Sequence, residues 1–530
     1  MLCSCAHKCR HSRLLIEWED TLPYVGRLKC VRHPTQCYSA SQVRDILQAA
    51  AESNLEVIPL VQTFGHLEFV LKHERFSSMR ESPQSYMDLC PLADGARELA
   101  SELVSQVLSF HPGCRRIHVG CDEVFGFVSC AKCKKFVRST PDGRTQLFLD
   151  HVLHVINQCV SVHKVQPFIW HDMLDSFSKE ALVPVARTGV QVVIWSYTPE
   201  VESKLPVDLW DRLMAAGVSC WGASAYKGAS EPDGVWTPMV HHLANHQSWI
   251  AASRRVKLSG IFLTGWTRFN HTAALCELLP AGFPCLVLCL ATLQAGGWHP
   301  SLAHRVLDPI GLAGISLSPS TSVLSDLPLG RFPGAEMFQH LGRLESLRRM
   351  LVRLEENRRL FCPPFTRRLN PPMWQQLYDQ TVGIVANLEH IAVVLPVAGR
   401  GLFCSDVMHE IVSSKVSALS SDVLRLSHFF RDLLDRHKSP VRLADVPPRA
   451  VNPSGDHDMS ATADTAGDTV MPAASPVSMA DSEVVVDAIV TVAADGAVVA
   501  VTDASKVAAS SSTPPPVVSL GDCAQFSPIS

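Results

Sequence analysis

No excess of either charge sign marks this chain. Its 47 basic and 51 acidic side chains leave a net charge of −4, so no broad cationic surface for nucleic acid is expected. Long apolar runs are scarce too. The region Phe283 to Leu293 is broken by cysteine and threonine and falls short of the ~20 residues of a membrane span. Met1 to His11 contain no apolar stretch of secretory-signal length. No glycine-rich phosphate loop follows a strand in the required way. The 18 cysteines are scattered rather than set out as a disulfide framework, and in a reducing compartment most read as buried thiols. The reading is an intracellular protein with no membrane partner, no nucleic-acid partner and no cofactor.

What is present is a rhythm. Seven apolar runs read as strands: Leu14–Asp20, Leu55–Val61, Arg115–Val119, Pro167–Trp170, Val192–Trp195, Ser219–Ser224 and Gly260–Trp266. Helical periods lie between them, near residues 39–53 (Ser39 as N-cap), 96–110, 145–162, 207–216 and 240–252, with a further helix from Ala273. Strands alternating with helices predict an α/β fold, a parallel (β/α)8 barrel. Seven strands are one too few, so the expectation is a barrel lacking its first β/α unit, with an open seam and exposed sheet edges. At 530 residues the chain is too long for one compact domain. Residues 1–300 are assigned to the barrel and 301–445 to a helical region with long helices near 335–358, 373–394 and 405–436. Residues 446–530 form a low-complexity tail expected to be disordered, although Val484 to Val501 could pair as a hairpin through Asp495-Gly496.

The third strand ends in Asp122-Glu123. Two acids at the carboxyl tip of a barrel strand face the solvent end where barrel sites are built. Their like charges oppose joint ionisation, so one pKa is expected to rise and the other to fall. A strand-end acid pair also serves as an ordinary cap, so spacing alone leaves both roles open. Four tryptophans, Trp170, Trp195, Trp221 and Trp266, are placed at strand ends. Several indoles at one end of a barrel suit the apolar faces of a pyranose ring, with acids for its hydroxyls. Cys130-Ala131-Lys132-Cys133 has zinc-like spacing. Its only companion group, Cys3, Cys5, Cys9 and His11, is irregular, so no metal is assigned.

The stretches Leu15 to Asp20, Ile58 to Glu68 with its Gly65-His66, His118 to Val124, and Thr264-Gly265-Trp266 resemble glycoside hydrolase family 20, and within it the nucleocytoplasmic branch. The likeness runs from about Leu14 to residue 436. It implies a retaining exo-β-N-acetylhexosaminidase acting on glycoconjugates that end in N-acetylgalactosamine or N-acetylglucosamine, located in cytoplasm and nucleus. It also implies substrate-assisted catalysis, in which the 2-acetamido oxygen attacks the anomeric carbon. On that likeness Glu123 is the general acid, and Asp122 orients the acetamido group and stabilises the oxazolinium. His66 holds the acids, and Trp170, Trp195 and Trp266 line the sugar pocket. Asp172 binds a hydroxyl or is a solvated loop acid. The tyrosine that binds the acetamido oxygen is Tyr197 or Tyr226, with Tyr197 preferred; Glu277 is a weaker site candidate. Two departures stand out: the absent first unit, and Arg268-Phe269-Asn270 where relatives tend to carry Arg-Tyr-Asp, which removes a hydroxyl and a charge. They leave a second reading, a catalytically silent barrel that binds sugars or partners. A homodimer is compatible with the sequence.

Overall fold

The computed structural model describes residues 13–362, 370–438 and 488–493, the last as backbone only. All seven expected strands are present: β1 (Arg13–Glu17), β2 (Glu56–Leu60), β5 (Arg116–His118), β6 (Gln166–Trp170), β7 (Gln191–Trp195), β8 (Ser219–Lys227) and β9 (Ile261–Gly265). A short antiparallel hairpin, β3 (Arg80–Ser82) and β4 (Ser85–Leu89), interrupts the connection from β2 to β5. Its brevity hid it from a search for apolar runs. The other strands run parallel in the order β1-β2-β5-β6-β7-β8-β9, each crossover carrying at least one helix against the outer wall.

The seam is not left open. Backbone of Ala488–Ala493, β10, pairs in parallel with β1 from Arg13↔Ile489 to Glu17↔Ala493, and with β9 from Ala488↔Ile261 to Val490↔Leu263. The sheet is therefore a closed barrel of eight strands. The expected hairpin does not match these six residues, whose partners are the two barrel edges. Residues 446–487 and 494–530, with the expected disorder, lie outside the described residues, as does the Cys3, Cys5, Cys9 and His11 group.

Alternate residues of the strands point inward and fill the barrel: Leu15, Ile58, Leu60, Phe168, Val193 and Phe262 among them. Trp221 belongs to this interior layer. Its indole Nε1 donates to Gln191 Oε1 at 3.0 Å, and because β8 runs on to Lys227 it sits at the start of its strand, not at the tip. The outward residues meet the helices in a second, larger core.

Local chemistry accounts for the helix starts. Ser39 caps Ala40–Glu52 by accepting from the Gln42 amide at 3.2 Å, while Gln42 Oε1 accepts from the Ser39 amide at 2.8 Å. Beyond the barrel, Ala335–Phe361, Pro371–Ala398 and Ala418–Lys438 pack as a helical layer around Leu341, Leu388, Ile391 and Phe430. Pro371–Ala398 is long and apolar enough to cross a membrane by length and composition, with a mean hydropathy of 1.7. Here one of its faces is buried among the neighbouring helices.

Candidate active site

A cavity of about 440 Å³ opens at the carboxyl ends of the strands. That is the size class of a small-molecule site, at the face where barrel loops converge.

Two crowded turns set its floor. After β2, Gly65 lets the chain pass against the Asp122 carbonyl, where a Cβ would collide, and His66 follows with φ of 50°. After β5, Gly120, Cys121 and Glu123 have φ of 67°, 71° and 47°. Left-handed conformation at non-glycine residues costs energy and is tolerated only where the surroundings enforce it. The result is that successive acids, Asp122 and Glu123, both face the cavity. His66 Nε2 lies 3.1 Å from Glu123 Oε2 and 3.6 Å from Asp122 Oδ2.

Asp172, just past β6, does not border the cavity but braces it. Its Oδ2 accepts from the Glu123 amide at 2.8 Å, and its Oδ1 accepts from Trp195 Nε1 at 3.1 Å. Its carboxylate is thus engaged by the Glu123 amide and the Trp195 indole, outside the cavity lining.

The electrostatics follow from burial. Asp122 has its pKa raised, chiefly by desolvation; the His66 cation opposes that and the Glu123 charge adds to it. Asp172 is pushed up to about 7, by burial first and the Asp122 charge second. The raised values thus fall on Asp122 and Asp172. Burial disfavours the His66 cation, but the Asp122 charge and the Glu123 hydrogen bond outweigh it and raise its pKa to about 10.

Trp170, Trp195 and Trp266 form the walls together with Tyr197, whose ring stacks on Trp195 at 5.4 Å and 23°. The Tyr197 hydroxyl interacts with the side chains of Thr264 and Trp266. Tyr226 is elsewhere: it is fully buried against Gly265 and does not border the cavity. Trp221 also stays out, for the reason of register given above. Glu277 lies behind the loop after β8, where its Oε2 accepts from the Gly228 amide at 2.9 Å and from Thr237 Oγ1 at 2.8 Å. It props that loop.

Several cavity residues were not singled out from the sequence: Glu17, Glu19, Gln62, Glu231 and His271. Glu17 and Gln62 sit at or just past the tips of β1 and β2, so the strand-end argument applied to Glu123 could have found them. Glu231 and His271 come from irregular loops that carry no periodic signal. His271 Nδ1 lies 2.6 Å from Glu19 Oε2, and Lys72 Nζ bridges Asp20 Oδ2 at 2.9 Å and His271 Nε2 at 2.8 Å. Arg268, Phe269 and Asn270 line the mouth, and Arg268 holds Glu410 of the helical region through bonds of 2.6 and 2.7 Å.

Three buried polar atoms of cavity residues have no hydrogen-bond partner among the described residues: Gln62 Oε1, Asp122 Oδ1 and Trp170 Nε1. Buried polar atoms are ordinarily satisfied, so such a group at a cavity marks where a ligand's polar groups would sit. Residues 11–205 match the family model for the glycosyl hydrolase family 20 catalytic domain. Human hexosaminidase D is 33% identical over 81% of this chain and 89% of its own length. The bovine hexosaminidase D is 37% identical over 57% of this chain and 89% of its own length. Among solved structures, a Flavobacterium johnsoniae chitobiase is 13% identical at a TM-score of 0.43, over 84% of this chain and 70% of that one.

Proposed function

This chain belongs to glycosyl hydrolase family 20, and from that premise we propose that it is an exo-acting β-N-acetylhexosaminidase. Its substrates are glycoconjugates ending in N-acetylgalactosamine or N-acetylglucosamine, and it works with retention through the substrate's own acetamido group. The observation that carries this reading is the placing of Asp122 and Glu123 side by side on one cavity with indole walls.

Each step rests on a group of stated geometry. The acetamido oxygen attacks the anomeric carbon, so no enzyme nucleophile is required. Positive charge then develops on the acetamido nitrogen. The unpartnered Asp122 Oδ1 is the acceptor for that N–H. Glu123 protonates the departing glycosidic oxygen and later takes a proton from water. Burial raises the Asp122 pKa and takes Asp172 up to about 7, while the His66 cation opposes the rise at Asp122. His66 bridges the two acids and holds their spacing. Tyr197 supports the acetamido oxygen, and Trp170, Trp195 and Trp266 take the ring faces.

The test is hydrolysis of aryl β-N-acetylgalactosaminide and glucosaminide by the purified full chain. Activity should fall by roughly 10²–10⁴ in Glu123→Gln, and N-acetyl-thiazoline, which mimics the oxazoline, should inhibit. Sugar binding without hydrolysis of either epimer would favour a silent, sugar-binding barrel instead.

A further inference from the structure

The Cys130-x-x-Cys133 pair, too little for a metal site in sequence, has companions in space. The pair opens the helix Ala131–Ser139, with Cys130 at its N-cap. Across from it stands the β3–β4 hairpin, with Glu81 on β3 and Cys90 just after β4. Cys90 Sγ lies 3.6 Å from both Cys130 Sγ and Cys133 Sγ. Cys133 Sγ lies 3.3 Å from Glu81 Oε2. One ligand atom from each of the four residues falls within 4.8 Å of every other.

Thiols touching thiols are not unusual in themselves. Cys285 and Cys289, one turn apart on a single helix, are 3.7 Å apart, and the His246 side chain, not a carboxylate, bonds to Cys289. The Glu81 carboxylate is what that explanation leaves out. It is 1% exposed, and no lysine or arginine forms an ion pair with it among the described residues. A buried carboxylate is costly unless it is paired or coordinates a metal. We propose that Glu81, Cys90, Cys130 and Cys133 form a closed structural zinc site, with three thiolates and Glu81 Oε2 as ligands.

The geometry meets the requirements of such a site. Zinc–sulfur bonds of about 2.3 Å set tetrahedral thiolates about 3.8 Å apart, close to the observed spacing. The outer contacts are in place as well. The Cys133 amide donates to Cys130 Sγ at 3.3 Å, and the Cys130 amide donates to Glu81 Oε1 at 3.0 Å, which leaves Oε2 for the ion. Binding would release three thiol protons. The helix that Cys130 caps also carries Lys132, Lys134 and Lys135, of which Lys132 lies 3.8 Å from Asp94.

The site has a structural purpose. The loop Val124–Ser129 leaves Glu123 and ends at Cys130, and the Gly126 amide is held by Asp88 Oδ2 of the hairpin at 2.9 Å. An ion there would fasten the segment after Glu123 to the hairpin that follows His66.

The experiment uses the full chain, purified with reductant and without chelator. Elemental analysis should find about one zinc per chain, and exchange for cobalt(II) should give tetrahedral d–d bands with thiolate-to-metal charge transfer. Cys90→Ala and Cys133→Ala should lose the bands and Cys285→Ala should keep them. Glu81→Gln should keep the charge transfer but bind more weakly, by roughly 10–100-fold. A wild-type chain that takes up no cobalt, or shows no charge-transfer band, or proves by mass to hold a disulfide among the three cysteines, overturns the proposal. The wild-type spectrum decides even where a cysteine variant fails to fold.

Discussion

The Glu123 amide donates to Asp172 Oδ2 at 2.8 Å, and the same carboxylate accepts from the Trp195 indole at 3.1 Å. One acid thus fixes the backbone of the proposed proton donor and one wall of the cavity. Asp172→Ala should therefore lower kcat/KM by roughly 10–100-fold, mostly in kcat, because a displaced donor costs more in the transition state than in binding. Steady-state kinetics on the aryl substrate separate the two parameters. A change confined to KM would mean that Asp172 acts on the sugar itself.

The two candidate tyrosines are told apart by where their hydroxyls lie. Tyr197 borders the cavity, whereas Tyr226 buries a hydroxyl that has no partner among the described residues. Tyr197→Phe should reduce kcat/KM by roughly 10²-fold, the scale of one lost oxyanion-type donor. Tyr226→Phe should leave activity within about twofold and hold or raise Tm, since removing an unsatisfied buried hydroxyl removes its desolvation cost. Equal losses in both variants would contradict the assignment.

The proton inventory predicts a pH signature. The His66 pKa, raised to about 10, means the folded state binds this proton more tightly than the unfolded chain does. That stability is fully present below about pH 6.5 and is lost as pH rises toward 10. Asp172, raised to about 7, likewise favours folding at lower pH, in the window from about 4 to 7. The Tm difference between wild type and His66→Gln should therefore narrow by several degrees between pH 6 and pH 10. In Asp172→Asn the corresponding change should fall below pH 7. A wild-type to His66→Gln difference that stays constant across pH 6 to 10 would show that His66 does not carry a stabilised charge.

Much of this was legible because barrels write themselves in repeating units. The seven barrel strands from Leu14 to Trp266 stood out by apolar content, and Ser39 announced a helix start as an N-cap residue. The acids at the tip of β5 could be found because a strand end has a fixed relation to a barrel's open face. What escaped did so for physical reasons. Asp172 was visible as a loop acid, yet its bond to the Glu123 amide depends on a left-handed turn that one residue type does not reveal. Trp221 looked like its three companions because the length of β8, and hence which end of the strand it occupies, is set by pairing with β7 and β9. The companions of Cys130 and Cys133 lie 40 to 52 residues upstream, on and just after a hairpin too short to register as a strand pair.

The seam of the barrel carries the last expectation. β10 satisfies the edges of β1 and β9 with backbone from Ala488–Ala493. Deleting residues 446–530 would bare two rows of amides and carbonyls, a template for pairing with another chain. The truncated chain should lose roughly 5–10 °C of Tm and associate in a concentration-dependent way, both measurable by scanning calorimetry and light scattering. Glu17 ends β1 and Trp266 follows β9, and both border the cavity, so KM should rise as well. Deleting 494–530 alone should leave stability unchanged, because the paired strand is kept. A synthetic peptide spanning 484–497 should restore the longer truncation in proportion to its concentration, as binding to the folded state requires. If the chain lacking 446–530 melts and turns over like the full chain, the edges of β1 and β9 do not depend on this strand in solution.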